Sequence, residues 1–162
     1  MDQGMHCLDL FRYFLGEFCE VTAFTETYYW DMPVEDNAFA LLRTQSRKIA
    51  SLHVSWTEWR NVFALQIVGK KGYIEIEGLG ASYGTELGRL GLRDFYRPFS
   101  ERTIRYTGGD KSWIREWLNF TQAIENNIEP NGSLEDGLKA LVLAKALYDS
   151  ARSKKVVRLG IT

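Results

Sequence analysis

The chain has 162 residues, with 20 Lys and Arg against 21 Asp and Glu and 45% hydrophobic residues, enough for one domain with a real core and too few for two ordinary ones. Balanced charge without a basic tract makes nucleic acid and anionic membrane poor partners. No apolar run reaches the length of a membrane span, and residues 1–15 are broken by Asp2, His6, Asp9 and Arg12, which excludes a signal peptide.

The first fifteen residues read as a helix that stops at Gly16, a residue suited to the C′ position. At 100° per residue, Asp2, His6, Asp9 and Tyr13 share one stripe, while Met5, Leu8, Leu10, Phe11, Phe14 and Leu15 spread over the rest of the circumference. So apolar a helix is expected to be largely buried, with its polar stripe facing a pocket or a set of partners. An acid, an imidazole and a second acid on adjacent turns suit general acid/base chemistry. They equally suit a His tied to an Asp one turn away only to satisfy both groups. Spacing leaves both open.

Residues 19–30 are rich in Val, Thr, Tyr and Phe and predict a strand, broken by Asp31-Met32-Pro33. Strands follow over residues 37–44, 48–58 and 63–67. Gly69-Lys70-Lys71-Gly72 is a hairpin connection into a strand over residues 73–77. Two weaker strands are expected near residues 89–96 and 102–106. The short spacers make the pairing mainly antiparallel. Residues 111–127 predict a helix with Asp110 as N-cap and an apolar stripe of Trp113, Trp117, Phe120, Ile124 and Ile128. After Pro130-Asn131-Gly132, Ser133-Leu134-Glu135-Asp136 resembles a capping box. Leu134, Leu138, Leu141, Val142, Tyr148 and Ala151 are the expected buried side of that last helix, and Gly137 suggests a close neighbour. The fold class is therefore α+β: a mainly antiparallel open sheet with helices on one face. The other face keeps apolar side chains and is expected to dimerise.

Several motifs invite a functional reading. Gly78, Gly80 and Gly84 imitate a dinucleotide-binding loop, but Gly88 and Gly91 interrupt any helix that should follow, so the stretch reads as a plain loop. His53 lies on a strand and no second helical His accompanies His6, so no metal site is expected. Cys7 and Cys19 lack metal spacing and read as reduced core thiols in a cytoplasmic protein. No nucleophile-elbow motif frames a serine. Trp56, Trp59 and Arg60 suit a sugar-binding cleft by stacking and hydrogen bonding, and suit sheet core plus a dimer surface about as well.

Asp2-Gln3-Gly4-x-His6-x-x-Asp9, with the apolar run ending at Leu15-Gly16, resembles the start of the C-terminal domain of the glucose–fructose oxidoreductase/inositol dehydrogenase (Gfo/Idh/MocA) family. The resemblance continues through residues 30–37, Ser55-Trp56, Ile67-Val68-Gly69 with Gly72, residues 133–138 and Ser150-Ala151-Arg152, and so covers essentially the whole chain. It implies a single C-terminal substrate-binding and oligomerisation domain over residues 1–162. Its parent would be an NAD(P)-dependent oxidoreductase acting on a sugar, polyol or sugar nucleotide. It implies that Asp2 binds and orients substrate, that His6 stands at the proton-transfer position, and that Asp9 is a structural partner. Family members also carry an N-terminal Rossmann half and a Glu-Lys-Pro segment with a catalytic lysine, and neither is found in this sequence. The expectation is therefore a chain inactive alone, binding neither NAD nor NADP by itself, and forming a homodimer or higher homo-oligomer through the open sheet face. The rival reading is a stand-alone, non-catalytic binding or assembly module of the same fold.

Overall fold

The computed structural model of the chain describes residues 2–80, 82–93 and 95–160. They form three helices and eight strands, and the chain divides into two compact units, residues 1–57 with 129–162 and residues 58–128. The α+β class and the antiparallel pairing hold. The strands are shared between two four-stranded sheets, one in each unit.

In the first unit, helix α1 (Asp2–Leu15) leads into β1 (Phe18–Glu26), β2 (Asn37–Thr44) and β3 (Ile49–Ser55). Helix α3 (Leu134–Ser153) and the short β8 (Val157–Arg158) complete it. The sheet order is β3-β2-β1-β8, antiparallel throughout. Strand alternation sends Val21, Ala23, Ala40, Leu42, Ala50 and Leu52 to one face, where they form the core with Leu8 of α1 and Leu143, Ala144, Ala146 and Leu147 of α3. The two-residue strand β8 is invisible to periodicity. It is fixed by Ser150, whose Oγ accepts the Ala23 amide at 3.1 Å and donates to the Lys155 carbonyl at 2.7 Å.

The expected strand over residues 19–30 ends at Glu26 and that over residues 48–58 spans Ile49–Ser55. The buried side of α3 is also not the expected one. Leu134, Leu138, Leu141 and Val142 are exposed, and the row against the sheet is Ala140, Leu143, Ala144, Ala146, Leu147 and Ser150. That row alternates small Ala and Ser with Leu143 and Leu147, and of the expected side only Tyr148 and Ala151 are half-buried. Gly137 has nothing within 4 Å of where a Cβ would stand and marks no close approach. The capping box is present: Ser133 Oγ accepts the Asp136 amide, and the Asp136 carboxylate accepts the Ser133 amide.

The second unit is an antiparallel meander of β4 (Ala64–Gly69), β5 (Gly72–Glu77), β6 (Glu86–Leu92) and β7 (Ser100–Tyr106), followed by α2 (Ser112–Asn126). The Gly69–Gly72 hairpin is as expected. A Cβ on Gly72 would stand 1.9 Å from the Gly91 carbonyl oxygen, so the crossing of β5 and β6 there requires glycine. The expected strand over residues 89–96 starts earlier, at Glu86, and its residue 94 lies outside the described residues. Asp110 accepts the Ser112 amide at 2.8 Å, but the N-cap position belongs to Lys111. The stripe Trp113, Trp117, Phe120, Ile124 and Ile128 is exposed rather than buried, and Ala123 alone among the described residues of α2 is buried.

Arg12 ties the first unit together. Its guanidinium is buried and reaches Asp9 at 3.2 Å, both oxygens of Glu17 at 3.0 and 3.3 Å, and the carboxylate and carbonyl of Asp136 at 3.3 and 3.1 Å. The last turn of α1 is thus held to the capping box of α3. Hydrogen bonding from Arg12, against burial, holds the Glu17 carboxyl below its ordinary value, and the Ser133 hydrogen bonds followed by Arg12 do the same for Asp136. Groups depressed in the folded state stabilise it above their unfolded pKa and lose that contribution as pH falls through the folded value. Arg12→Met should lower the unfolding free energy by about 2–3 kcal/mol at neutral pH, as expected for a buried cation with several charge-assisted hydrogen bonds. Urea titrations of both proteins across the acid range should show the variant losing less stability below about pH 4.5, where unfolded carboxylates begin to protonate.

Candidate functional site

Helix α1 presents its polar stripe outward. Gly4, Leu8 and Arg12, each one turn from the next, are the buried line, and Asp2, His6 and Tyr13 lie on the far side, exposed. This corrects the expectation of a mostly buried helix. One face suffices to seat it: Leu8 enters the core and Met5, Cys7, Phe11 and Leu15 pack half-buried against it. Asp9, expected as a structural partner, has that role with Arg12. Asp2 and His6 are left facing solvent one turn apart, available to a ligand.

The second feature is the excursion of residues 27–36 between β1 and β2. It is organised by Asp36, whose side chain is 1% exposed yet charged. Its two oxygens accept the amides of Tyr28 at 2.9 and 3.0 Å, Tyr29 at 2.8 Å and Trp30 at 3.1 Å, and the Asn37 side-chain amide at 3.1 Å. Burial pushes the carboxyl up, but those hydrogen bonds outweigh it and hold Asp36 well below the usual carboxylate range. This also explains why β1 stops at Glu26: the amides that would continue the ladder turn inward to the carboxylate. The main chain of Asp36 adds two bonds, donating to the Glu26 carbonyl at 3.1 Å and accepting the Trp56 amide at 2.8 Å. Trp30 Nε1 donates to the Trp56 carbonyl at 3.1 Å. Beyond it Asn37 meets His53 Nε2 at 3.3 Å and donates to Thr57 Oγ1 at 2.9 Å, and His53 stacks on Phe39 with centroids 4.3 Å apart.

On the other side of this excursion lies a shallow pocket of about 390 Å³, bounded by the end of β1, by residues 33–35 and by Tyr148 of α3. Tyr148 Oη donates to Glu35 Oε1 at 2.7 Å. Burial, then the adjacent Glu35 carboxylate, push the phenol up to about 12, so it stays protonated and donating at neutral pH.

The aromatic trio read from the sequence is divided. Trp56 ends the β3 segment of the first unit and is 60% exposed, whereas Trp59, in a left-handed backbone conformation, and Arg60 belong to the second unit, both exposed. Gly78, Gly80 and Gly84 all have positive φ and join β5 to β6, with no helix behind them. A Cβ on Gly78 would stand 2.4 Å from the Thr85 carbonyl oxygen. These residues serve a tight turn, and without a helix N-terminus they do not fit the pyrophosphate of a dinucleotide. Among the described residues no group of His, Cys, Asp and Glu is placed to hold a metal ion, and no helix is long and apolar enough to cross a membrane. Cys7 and Cys19 are free and half-buried.

Sequence reasoning missed Asp36, Glu35 and Tyr148 as site builders. The available signal was Tyr28-Tyr29-Trp30-Asp31-Met32-Pro33, a run too aromatic for a plain loop, closed by adjacent acids at the start of the next strand.

Residues 1–75 match the model of the GFO/IDH/MocA C-terminal domain, so the resemblance carried by the opening motif is borne out over that stretch. The chain is 27% identical over 164 residues to the D-apiose dehydrogenase of Paraburkholderia graminis, covering 98% of this chain and 44% of that protein. It superimposes on the aldose-aldose oxidoreductase of Caulobacter crescentus, solved with glycerol, with a TM-score of 0.79 and 26% identity over 96% of this chain and 46% of that one. A levoglucosan dehydrogenase solved with NADH gives a TM-score of 0.84 at 19% identity, over 98% of this chain and 49% of that one, and shares the fold. The chain thus spans less than half the length of each of these three.

Asp36→Asn tests the organisation of the excursion. The amide keeps one acceptor oxygen and turns a donor toward backbone N–H groups. Amide exchange at Tyr28, Tyr29 and Trp30 should accelerate by roughly tenfold or more, as expected for loss of hydrogen bonds to a charged acceptor. Protection at Val21 and Ala23 should stay unchanged, as measured by NMR-detected hydrogen exchange.

Proposed function

We propose that this chain is the substrate-binding and dimerisation part of an NAD(P)-dependent oxidoreductase that acts on a sugar or polyol. The observation that carries the reading is the solvent-facing pair Asp2 and His6, placed within the stretch that matches the GFO/IDH/MocA C-terminal domain. The relatives' names, D-apiose dehydrogenase and aldose-aldose oxidoreductase, support carbohydrate substrates, and the NADH held by levoglucosan dehydrogenase supports the cofactor class.

The nicotinamide would supply the hydride chemistry, and the Gly78–Gly84 loop would not hold it, so this chain alone should bind neither NAD nor NADP. The chain's own residues bind, orient and move a proton. Asp2 accepts a substrate hydroxyl and fixes its orientation; His6, one turn on, takes or returns the proton of the hydroxyl being oxidised or formed. Trp56, exposed in the same unit, would contribute stacking to the substrate. In a complete protein carrying this chain, His6→Ala should lower kcat by about 10²–10⁴-fold with cofactor affinity unchanged, and Asp2→Ala should also raise the sugar KM. Steady-state kinetics with both substrates varied decides it; losses that merely track thermal stability would remove the catalytic roles.

The homodimer would form on the sheet face opposite α1 and α3. There Phe24, Phe39 and His53 lie side by side across β1, β2 and β3, with Leu41 and Ile49 in adjacent rows; Phe24, Phe39, Leu41 and Ile49 are 42–69% exposed. Packing this face on its two-fold copy should bury an interface near ~1,600 Å². Sedimentation at micromolar concentration should give a dimer, and Leu41→Lys a folded monomer, because the lysine falls in the middle of the patch while the core face of β2 is untouched. A wild-type monomer would overturn the assignment.

A further inference from the structure

The second unit carries two exposed apolar surfaces, and they are of complementary kinds. The register of β4 to β7 sends Leu65, Ile67, Ile74, Ile76, Leu90 and Ile104 to one face of the sheet. Each of these six is half-buried or exposed. The opposite face is polar and internally paired: Arg89 meets Glu75 at 2.8 Å and Glu77 at 3.1 Å, and Tyr73 donates to Glu101. Helix α2 carries the other surface. Trp113, Trp117, Phe120 and Ile124 recur at steps of four, three and four residues and form one narrow seam. They are 48–82% exposed. Large aromatic side chains are enriched at protein contacts, and a solvated helix face has no use for them.

The two surfaces match in size and in charge. From Trp113 to Ile124 the seam runs about 17 Å at the helical rise of about 1.5 Å per residue. The four strands span about 14 Å at their usual spacing of about 4.8 Å. A helix stripe laid on a sheet face is the layer by which α+β domains bury both. The chain's own α2 does not make that layer, since its seam is exposed. Arg102 pairs with Leu90 in the register of β6 and β7 and so stands, exposed, on the apolar face. Glu116, next to Trp117 and also exposed, borders the seam with the opposite charge.

We propose that the second unit self-associates: α2 of each copy lies across the apolar face of β4 to β7 of the other, with Glu116 facing Arg102. A second copy is the one occupant that covers both surfaces by a single two-fold operation. Burying about half the exposed surface of the four seam side chains removes roughly 250–300 Å² from water on the helix side of each contact. Two such contacts, counted on both sides, total about 1,000–1,200 Å², which reaches the threshold of a specific interface and falls in the weak class. The contact is therefore populated at roughly hundreds of micromolar, above the concentration at which the first unit's sheet face would pair. It uses the second unit only and does not depend on the carbohydrate reading.

The experiment is sedimentation of the Leu41→Lys chain, which lacks the first unit's contact, from about 10 μM to about 1 mM. It should pass from monomer to dimer with a dissociation constant of roughly hundreds of micromolar. Trp117→Lys and Arg102→Glu, both at exposed positions, should each weaken that step by about tenfold or more while circular dichroism and the thermal midpoint stay unchanged. Combining Arg102→Glu with Glu116→Arg should restore it, because the pair is reversed rather than broken. The wild-type chain should gain mass beyond the dimer over the same range. A Leu41→Lys chain still monomeric at the highest concentration would overturn the proposal. So would association that Trp117→Lys leaves unchanged, which would mean that sheet faces meet without the helix, and so would a double variant no better than Arg102→Glu alone. A wild-type dimer that survives Leu41→Lys and is lost in Trp117→Lys would remove the first unit's interface and leave this one standing. A dimer lost in Leu41→Lys that never gains further mass would do the reverse.

Discussion

A buried carboxylate can stay ionised only if the protein replaces its water with donors, and Asp36 shows what that requirement does to a chain. To supply donors, the backbone abandons β1 after Glu26 and folds three consecutive amides, Tyr28 to Trp30, onto one side chain. The excursion that results is closed at its neck by Asp36 N to Glu26 O and bridged by Thr27 to Val34. The pocket under Tyr148 and the display of Trp30 against Trp56 both depend on that closure. A single charge thereby sets where the strand ends, where the aromatic side chains stand and what a ligand would meet.

Much of the architecture was legible because it is written in periods of two and 3.6. Strands β2 to β5, the Gly69–Gly72 hairpin, the helix at each end and the Ser133–Asp136 capping box follow from alternation, glycine placement and cap chemistry. Strand ends were not legible, since β1 is cut short by a side chain ten residues beyond its last paired residue. The choice of buried face failed in α3. Hydrophobicity ranks leucine above alanine, but the side of α3 that lies on the sheet interleaves Ala140, Ala144 and Ala146 with Leu143 and Leu147. The larger residues, Leu134 and Leu138 on α3 and Trp113 and Trp117 on α2, stay exposed.

The candidate site was legible in part. Asp2 and His6 were marked by their spacing and then by the ordered motifs around them. Asp9 was separated from them as structural, and its pairing with Arg12 gives that role a physical basis. Glu35 and Tyr148 are 113 residues apart, and no local pattern announces such a pair. Only the packing of α3 over β1 brings them together.

The exposure of Asp2 and His6 carries its own mechanistic consequence. An imidazole in open water stabilises little developing charge, because solvent screens the interaction and reorganises with the reaction. For the proposed proton transfer to be effective, the α1 stripe must be covered when substrate is bound, by the substrate and by a surface carrying the cofactor. The fold is suited to that arrangement. Arg12 and Leu8 anchor the helix from below through a buried ion cluster and the core, so enclosing its outer face requires no rearrangement beneath it. Preorganisation thus resides in the buried side of α1, while the proposed proton transfer would use the exposed one.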